Sequence, residues 1–236
     1  MAVILDKSAD AKIFETLKYL NIDCYKSCSL DFLYSPVNTH PDMQIHFTDS
    51  TTAVVAPSAY NHYASTLPPN INLIKGSSDP HCTYPGDCAY NVAKLGKKII
   101  GNLRYTDPKI KEIYENQGCQ FINVNQGYTK CNLCIVDENS VITEDEGLFK
   151  TLSANSIDVL KIPSGLVKLN GFANGFLGGA SGFISPGKLA FCGNFKNNSI
   201  FDQIYSFVKS KLVDIICLSS TEMVDLGSIL YFNSNF

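Results

Sequence analysis

The stretch Asp225–Phe232, DLGSILYF, reads as a β-strand that neither a hairpin nor a helix follows. The opening Met1–Asp6, MAVILD, is another apolar strand, and Ser8–Leu20, SADAKIFETLKYL, is a helix behind it. Ser8 or Asp10 would cap that helix, with Phe14, Leu17, Tyr19 and Leu20 near one face. Ile22–Cys28, IDCYKSC, returns as a further strand. Tail and head together thus supply strand, strand, helix and strand, in that order.

The same order recurs along the chain. After Pro41, MQIHF and TTAVVAPS read as strands, NHYASTLP as a weak helical or turn segment, and NINLIKGSS as the next strand. DCAYNVA, KKIIGNL, TDPKIKEIYENQG and CQFINVNQG follow, with Thr106 as N-cap, Pro108 in the first turn and Gly118 closing the helix. KCNLCIVD, NSVITED, GLFKTLSANS and IDVLKIPSG make a third unit. GASGFISP, GKLAFCGN, SIFDQIYSFVKSKL and VDIICLSS make a fourth. The units run approximately over 40–79, 84–125, 128–168, 176–220, and 223–231 together with 1–28, a spacing typical of repeat architectures. A chain cut inside a unit pairs its first and last strands and closes a ring, which removes the edges of an open array. The alternative is an open α/β sheet whose similar segments are coincidental.

At 236 residues, with 45% hydrophobic and 17% charged side chains, the chain can bury a substantial core in one large domain or two small ones. A net charge of −3 offers no basic footprint for nucleic acid and no polybasic membrane patch. MAVILD is too short for a signal peptide or membrane helix, and no other run approaches spanning length. Nine cysteines, an odd number spread through segments such as DIICLSS and LAFCGN, point to free thiols in a reducing compartment, hence the cytoplasm.

Five such units in a ring resemble the pentein fold, a five-bladed α/β-propeller. Its members include arginine and agmatine deiminases, amidinotransferases and dimethylarginine dimethylaminohydrolases. The chain also resembles a small bacterial family related to the last two. The resemblance covers the whole chain as topology but only short motifs at residue level. Pro41-Asp42 matches the Pro-Asp opening of the first unit in the dimethylarginine hydrolases, and Gly86-Asp87 matches part of the Gly-Gly-Asp of their second. Where their third unit carries a catalytic histidine in His-Leu-Lys-Ser, this chain reads Tyr128-Thr129-Lys130-Cys131. Their fifth unit ends in a strand bearing the catalytic cysteine; here no cysteine follows Cys217. The resemblance implies a thiolate attacking a guanidinium carbon, an imidazole moving protons and carboxylates holding the planar cation. Loss of thiol and imidazole together leaves little beyond binding.

The groups expected to face the ring centre are Asp42, Asp87, Asn91, Lys130, Asn132, Asp225 and Ser228. Three carboxylates would bind a cation, and Lys130 would pair with one of them or with an anion. Each has an ordinary alternative. The aspartates follow turn residues or precede a strand, where they close turns. Lys130 would snorkel at the surface. Ser228 has no histidine placed to activate it, and Tyr128 would merely fill the space of an imidazole.

Other motifs carry rival chemistries. His40, Asp42 and His46, with His81, Cys82 and Cys88 nearby, suggest a metal, but on a strand three such groups converge poorly, and structural histidines are expected. Cys131 and Cys134 have CxxC spacing without a second CxxC, and on a strand they would point to opposite faces. Asn174–Gly182, NGFLGGASG, lacks the Gly-Lys-Ser/Thr ending of a phosphate loop and reads as a tight entry to the fourth unit. Cys88 or Cys131, placed on first strands, would be relocated nucleophiles, though no histidine falls in the third unit.

The expectation is a single pentein domain over 1–236 that binds a small cationic, guanidino-like ligand in a central channel. No cofactor, metal, nucleic acid or membrane is called for, and the oligomeric state is not set. The alternatives are a guanidino-compound hydrolase or amidinotransferase-like enzyme using Cys88 or Cys131, and a non-catalytic interaction protein.

Overall fold

The computed structural model describes residues 1–234. The head of the chain forms β1 (Ala2–Leu5), α1 (Ala11–Tyr19) and β2 (Asp23–Lys26). A second group is β3 (Ile45–Phe47), β4 (Thr52–Val55), α2 (Tyr60–Thr66) and β5 (Asn72–Lys75). A third is β6 (Ala93–Leu95), β7 (Lys98–Gly101), α3 (Pro108–Asn116) and β8 (Gln120–Asn123). The one-turn α4 (Thr129–Asn132) precedes β9 (Cys134–Ile135), β10 (Ser140–Thr143), α5 (Glu146–Ala154) and β11 (Asp158–Lys161). Then come β12 (Ser181–Ser185), β13 (Lys188–Phe191), α6 (Phe201–Ser210), β14 (Asp214–Cys217) and β15 (Leu230–Phe232).

These strands make five three-stranded sheets of one design. A first strand pairs antiparallel with a second, and the second pairs parallel with a third. A parallel neighbour can be reached only by a crossover, so a helix stands between second and third strands every time. In the fifth sheet the first strand is β15 and the second is β1. Ala2 faces Phe232, Val3 faces Tyr231 and Ile4 faces Leu230 in antiparallel register, while β2 runs parallel to β1. Tail and head share one sheet.

Position within a sheet sets burial. All four residues of β1 and of β10 are buried, because a middle strand is covered on both faces and needs a continuous apolar run. Third strands form one edge of each sheet and carry exposed polar ends, as at Asp23 and Lys26, Asn72 and Lys75, Asp158 and Lys161. Charged edges of this kind discourage pairing with another chain.

The helices pack through residues one turn apart. α1 buries Ile13 and Leu17, each contributing roughly 1.5–3 kcal/mol. Phe14 and Leu20 are only partly buried, and Tyr19, expected on the same face, is 85% exposed. It lies two residues beyond Leu17 and so about 200° round the helix. Asp10 caps α1 by accepting from Lys12 N at 2.8 Å. α3 is capped by Asp107, not by Thr106, because Pro108 occupies the first helical position and makes its predecessor the cap. Among the described residues no helix is long and apolar enough to cross a membrane.

Candidate functional site

The chain turns before it extends. Pro41–Met43 and Gly86–Cys88 are single 3-10 turns, and α4 covers the same place in the next unit. Cys88 and Cys131, expected on strands, therefore sit in these turns, and of the CxxC pair it is Cys134 that lies on a strand. Pro41 presets the dihedral of its turn and lacks the N–H that a strand would need. Asp225 and Ser228 likewise precede the short β15 in irregular backbone. A turn gathers neighbouring side chains that a strand would send to opposite faces.

Asp42 is the hub of the first cluster. Its Oδ2 accepts from Cys131 Sγ at 2.9 Å and from Ser228 Oγ at 2.7 Å. Lys130 Nζ in turn donates to Ser228 Oγ at 3.1 Å. Asn91 Oδ1 receives the backbone N–H groups of Lys130 (2.7 Å) and Cys131 (3.1 Å), holding α4 against the neighbouring unit, while Asn91 Nδ2 lies 3.1 Å from Cys131 Sγ. Asp42, Asn91, Cys131 and Ser228 are buried, and Lys130 is half-buried. Asp42 Oδ1 is also buried but has no partner among the described residues. Burial, and then the charges of Asp42 and Asp225, push the Cys131 thiol well above its ordinary range.

A second cluster surrounds Tyr128. Its hydroxyl donates to Asp87 Oδ2 at 2.5 Å, and Cys88 Sγ lies 3.2 Å from Asp87 Oδ1. Asn132 Nδ2 donates to Tyr128 O at 2.9 Å. The Tyr128 ring lies between those of Tyr84 and Phe176, with centroids 5.2 and 6.3 Å away. Burial and the neighbouring Asp87 raise the Cys88 thiol far above its usual value.

Asp225 has partners of its own. It accepts from Phe176 N (2.9 Å) and Gly227 N (3.0 Å), and it approaches His40 Nδ1 at 3.9 Å. The other ring nitrogen of His40 lies 3.9 Å from Asp6. His46 is bonded through Nε2 to Tyr114 Oη at 2.8 Å, and burial followed by Lys94 and Lys130 lowers it to about 3. Among the described residues no three His, Cys, Asp or Glu side chains are placed to hold a metal ion.

Every sheet lends its first strand to one cavity of about 290 Å³. Phe47 of β3, Lys94 of β6, Ile135 of β9, Phe183 of β12 and Tyr231 of β15 line it, together with Asp42, Lys130 and His46. Of the seven residues expected at the centre, Asp42 and Lys130 reach this cavity, with Asn91 and Ser228 bonded around them. Asp87 and Asn132 gather instead about Tyr128. Lys94 and His46 line the cavity although no motif marks them as cavity residues. A lone lysine within the apolar run AYNVAKL was the available signal for Lys94.

A model for a family of unknown function (DUF6873) matches residues 4–230. The chain belongs to that family. No curated protein matches this DUF6873 member. Solved structures do. C. jejuni agmatine deiminase is 17% identical, with a TM-score of 0.53 over 92% of this chain and 75% of that one. A mutant of DDAH from Pseudomonas aeruginosa, complexed with citrulline, is 9% identical, with a TM-score of 0.53 over 92% and 91% of the two chains. SxtG, an amidinotransferase from Microseira wollei, is 9% identical, with a TM-score of 0.51 over 95% and 93%. These are pentein-fold enzymes, and the DUF6873 member shares their fold.

Proposed function

We propose that the five sheets stand around a common axis as the blades of one propeller domain over 1–236. Its cavity would bind a small cationic, nitrogen-rich ligand without turning it over. The observation that carries this reading is Asp42 Oδ1, a buried carboxylate oxygen without a partner among the described residues, on a residue that lines the cavity. Leaving such an acceptor unmet costs on the order of 1–3 kcal/mol, which an N–H donor from a ligand would offset. The apolar walls suit a methylene chain. Lys94, which also lines the cavity, favours a carboxylate on the ligand, as in a guanidino amino acid.

The absence of turnover is inferred from the thiols and imidazoles. Cys131 and Cys88 are each bonded to a carboxylate and raised by burial, so neither supplies a thiolate. His46 is engaged by Tyr114, and His40 lies between two carboxylates. All nine cysteines are free, which fits a reducing cytoplasm.

Calorimetry and thermal-shift assays with agmatine, arginine and methylated arginines test the proposal, alongside assays for ammonia, urea and citrulline. Saturable binding without product release is expected, weakened about tenfold or more by Asp42→Asn. Product release abolished by Cys88→Ser or Cys131→Ser would establish the hydrolase instead. Absence of binding by every compound would leave the interaction class.

A further inference from the structure

A second cavity, of about 350 Å³, opens beside residues 164–176. Glu144, Asp145, Asn132, Asn174, Phe172 and Phe176 are among its lining, and no lysine, arginine or histidine is. Asp145 is already engaged: it caps α5 through Leu148 N at 2.7 Å and accepts from Gln126 Nε2 at 3.1 Å. Asn132 spends its amide N–H on Tyr128 O, which leaves its carbonyl oxygen as an acceptor. Glu144 differs from both. Its Oε1 is closed off from solvent and has no hydrogen-bond partner among the described residues.

We propose that this cavity is a separate binding site for a small primary ammonium ion, whose N–H groups pair with Glu144 while its carbon substituent lies against Phe172 and Phe176. A charged donor satisfies the orphaned oxygen in a way no side chain here does. The two rings present apolar and electron-rich surface to the cation. The carboxyl is raised to about 7, first by burial and then by the charge of Asp225, while the N–H groups of Leu166, Gly165 and Leu177 pull the other way. A cation beside Glu144 would draw it back down. The site does not depend on the central cavity, because its anchor is a different carboxylate.

The test is calorimetry on the full chain near pH 8, where Glu144 is mostly ionised, with butylammonium chloride as probe and sodium chloride as ionic-strength control. A saturable site is expected that Glu144→Gln weakens about tenfold or more and Asp42→Asn leaves unchanged, distinct from any binding in the central cavity. Tetramethylammonium, which has no N–H to give Oε1, should bind about tenfold more weakly than butylammonium. Phe172, 52% exposed, bears little on folding, and Phe172→Ala should weaken binding about threefold. The proposal is overturned by absence of binding to the wild type, by affinity unchanged in Glu144→Gln or Phe172→Ala, by equal binding of the quaternary ion, or by loss in Asp42→Asn.

Discussion

Cys131 Sγ lies 2.9 Å from Asp42 Oδ2, bringing a thiol of the third unit onto a carboxylate of the first. A thiol in that position is a hydrogen-bond donor, and ionising it would set two negative charges against each other in a buried site. Native protein treated with iodoacetamide near neutral pH should label the exposed Cys82 well before Cys131 by peptide mass mapping. Equal labelling of the two would refute the buried, protonated thiol.

The same logic sets an alkaline limit to stability. Burial raises Cys24 from 9.0 to about 12 and Cys134 from 9.0 to about 11. Unfolded thiols ionise near 9.0 while the folded ones keep their protons. The stabilisation is therefore whole below pH 9, and each group loses it as pH rises toward its folded value. For Cys134 alone this amounts to roughly 2–3 kcal/mol. Urea midpoints should fall steadily above pH 9, and Cys134→Ala should show a shallower fall.

Acid behaviour pits two groups against each other. His46 is lowered from 6.5 to about 3, so its contribution is full above pH 6.5 and is lost as pH falls through that range. Glu144 is raised from 4.5 to about 7, so the folded state gains relative stability as pH falls from 7 to 4.5. Between 6.5 and 4.5 the slopes oppose, and urea midpoints should change little before dropping below 4.5. Glu144→Gln should expose the decline from pH 6.5 onward; a profile identical to wild type would refute the opposition.

Gly179 cannot carry a side chain. A Cβ there would come 2.0 Å from Asp225 Oδ1, and two backbone N–H groups hold Asp225 in place. Gly179 O also accepts from Ser228 N at 2.7 Å, fastening the approach to β15. Gly179→Ala should cost about 1–3 kcal/mol or more in chemical denaturation. A loss well below 1 kcal/mol would mean that Asp225 can give way.

Ser228 has φ of 72°, a conformation that suits glycine, yet its hydroxyl links Lys130 to Asp42. Ser228→Ala keeps the strain and removes the link, so a loss of about 1–3 kcal/mol is expected by urea titration. Affinity for any ligand at Asp42 should change in the same variant.

Much of this protein could be read before its structure. DLGSILYF had no local partner, and MAVILD lacked a first strand, so pairing the two followed from the recurring order of elements. The middle strands AVIL, TAVV and SVIT announced themselves as continuous apolar or β-branched runs because both faces of such a strand are covered. The onset of the first strands differs from its local pattern. Pro41-Asp42, Gly86-Asp87 and Thr129–Asn132 look extended in sequence, yet each makes one turn. A single turn depends on what its side chains meet, and those partners lie up to 186 positions away, as with Ser228 and Asp42.

Sequence alone determined the repeating order of elements and the supply of carboxylates ahead of the strands, because periodicity and turn chemistry are local properties. Only the tertiary structure decided which acids were already satisfied, which thiols were held protonated, and that Asp42 Oδ1 and Glu144 Oε1 were left without donors among the described residues. Those outcomes depend on distances between groups far apart in the chain and on exclusion of water, which no local pattern encodes.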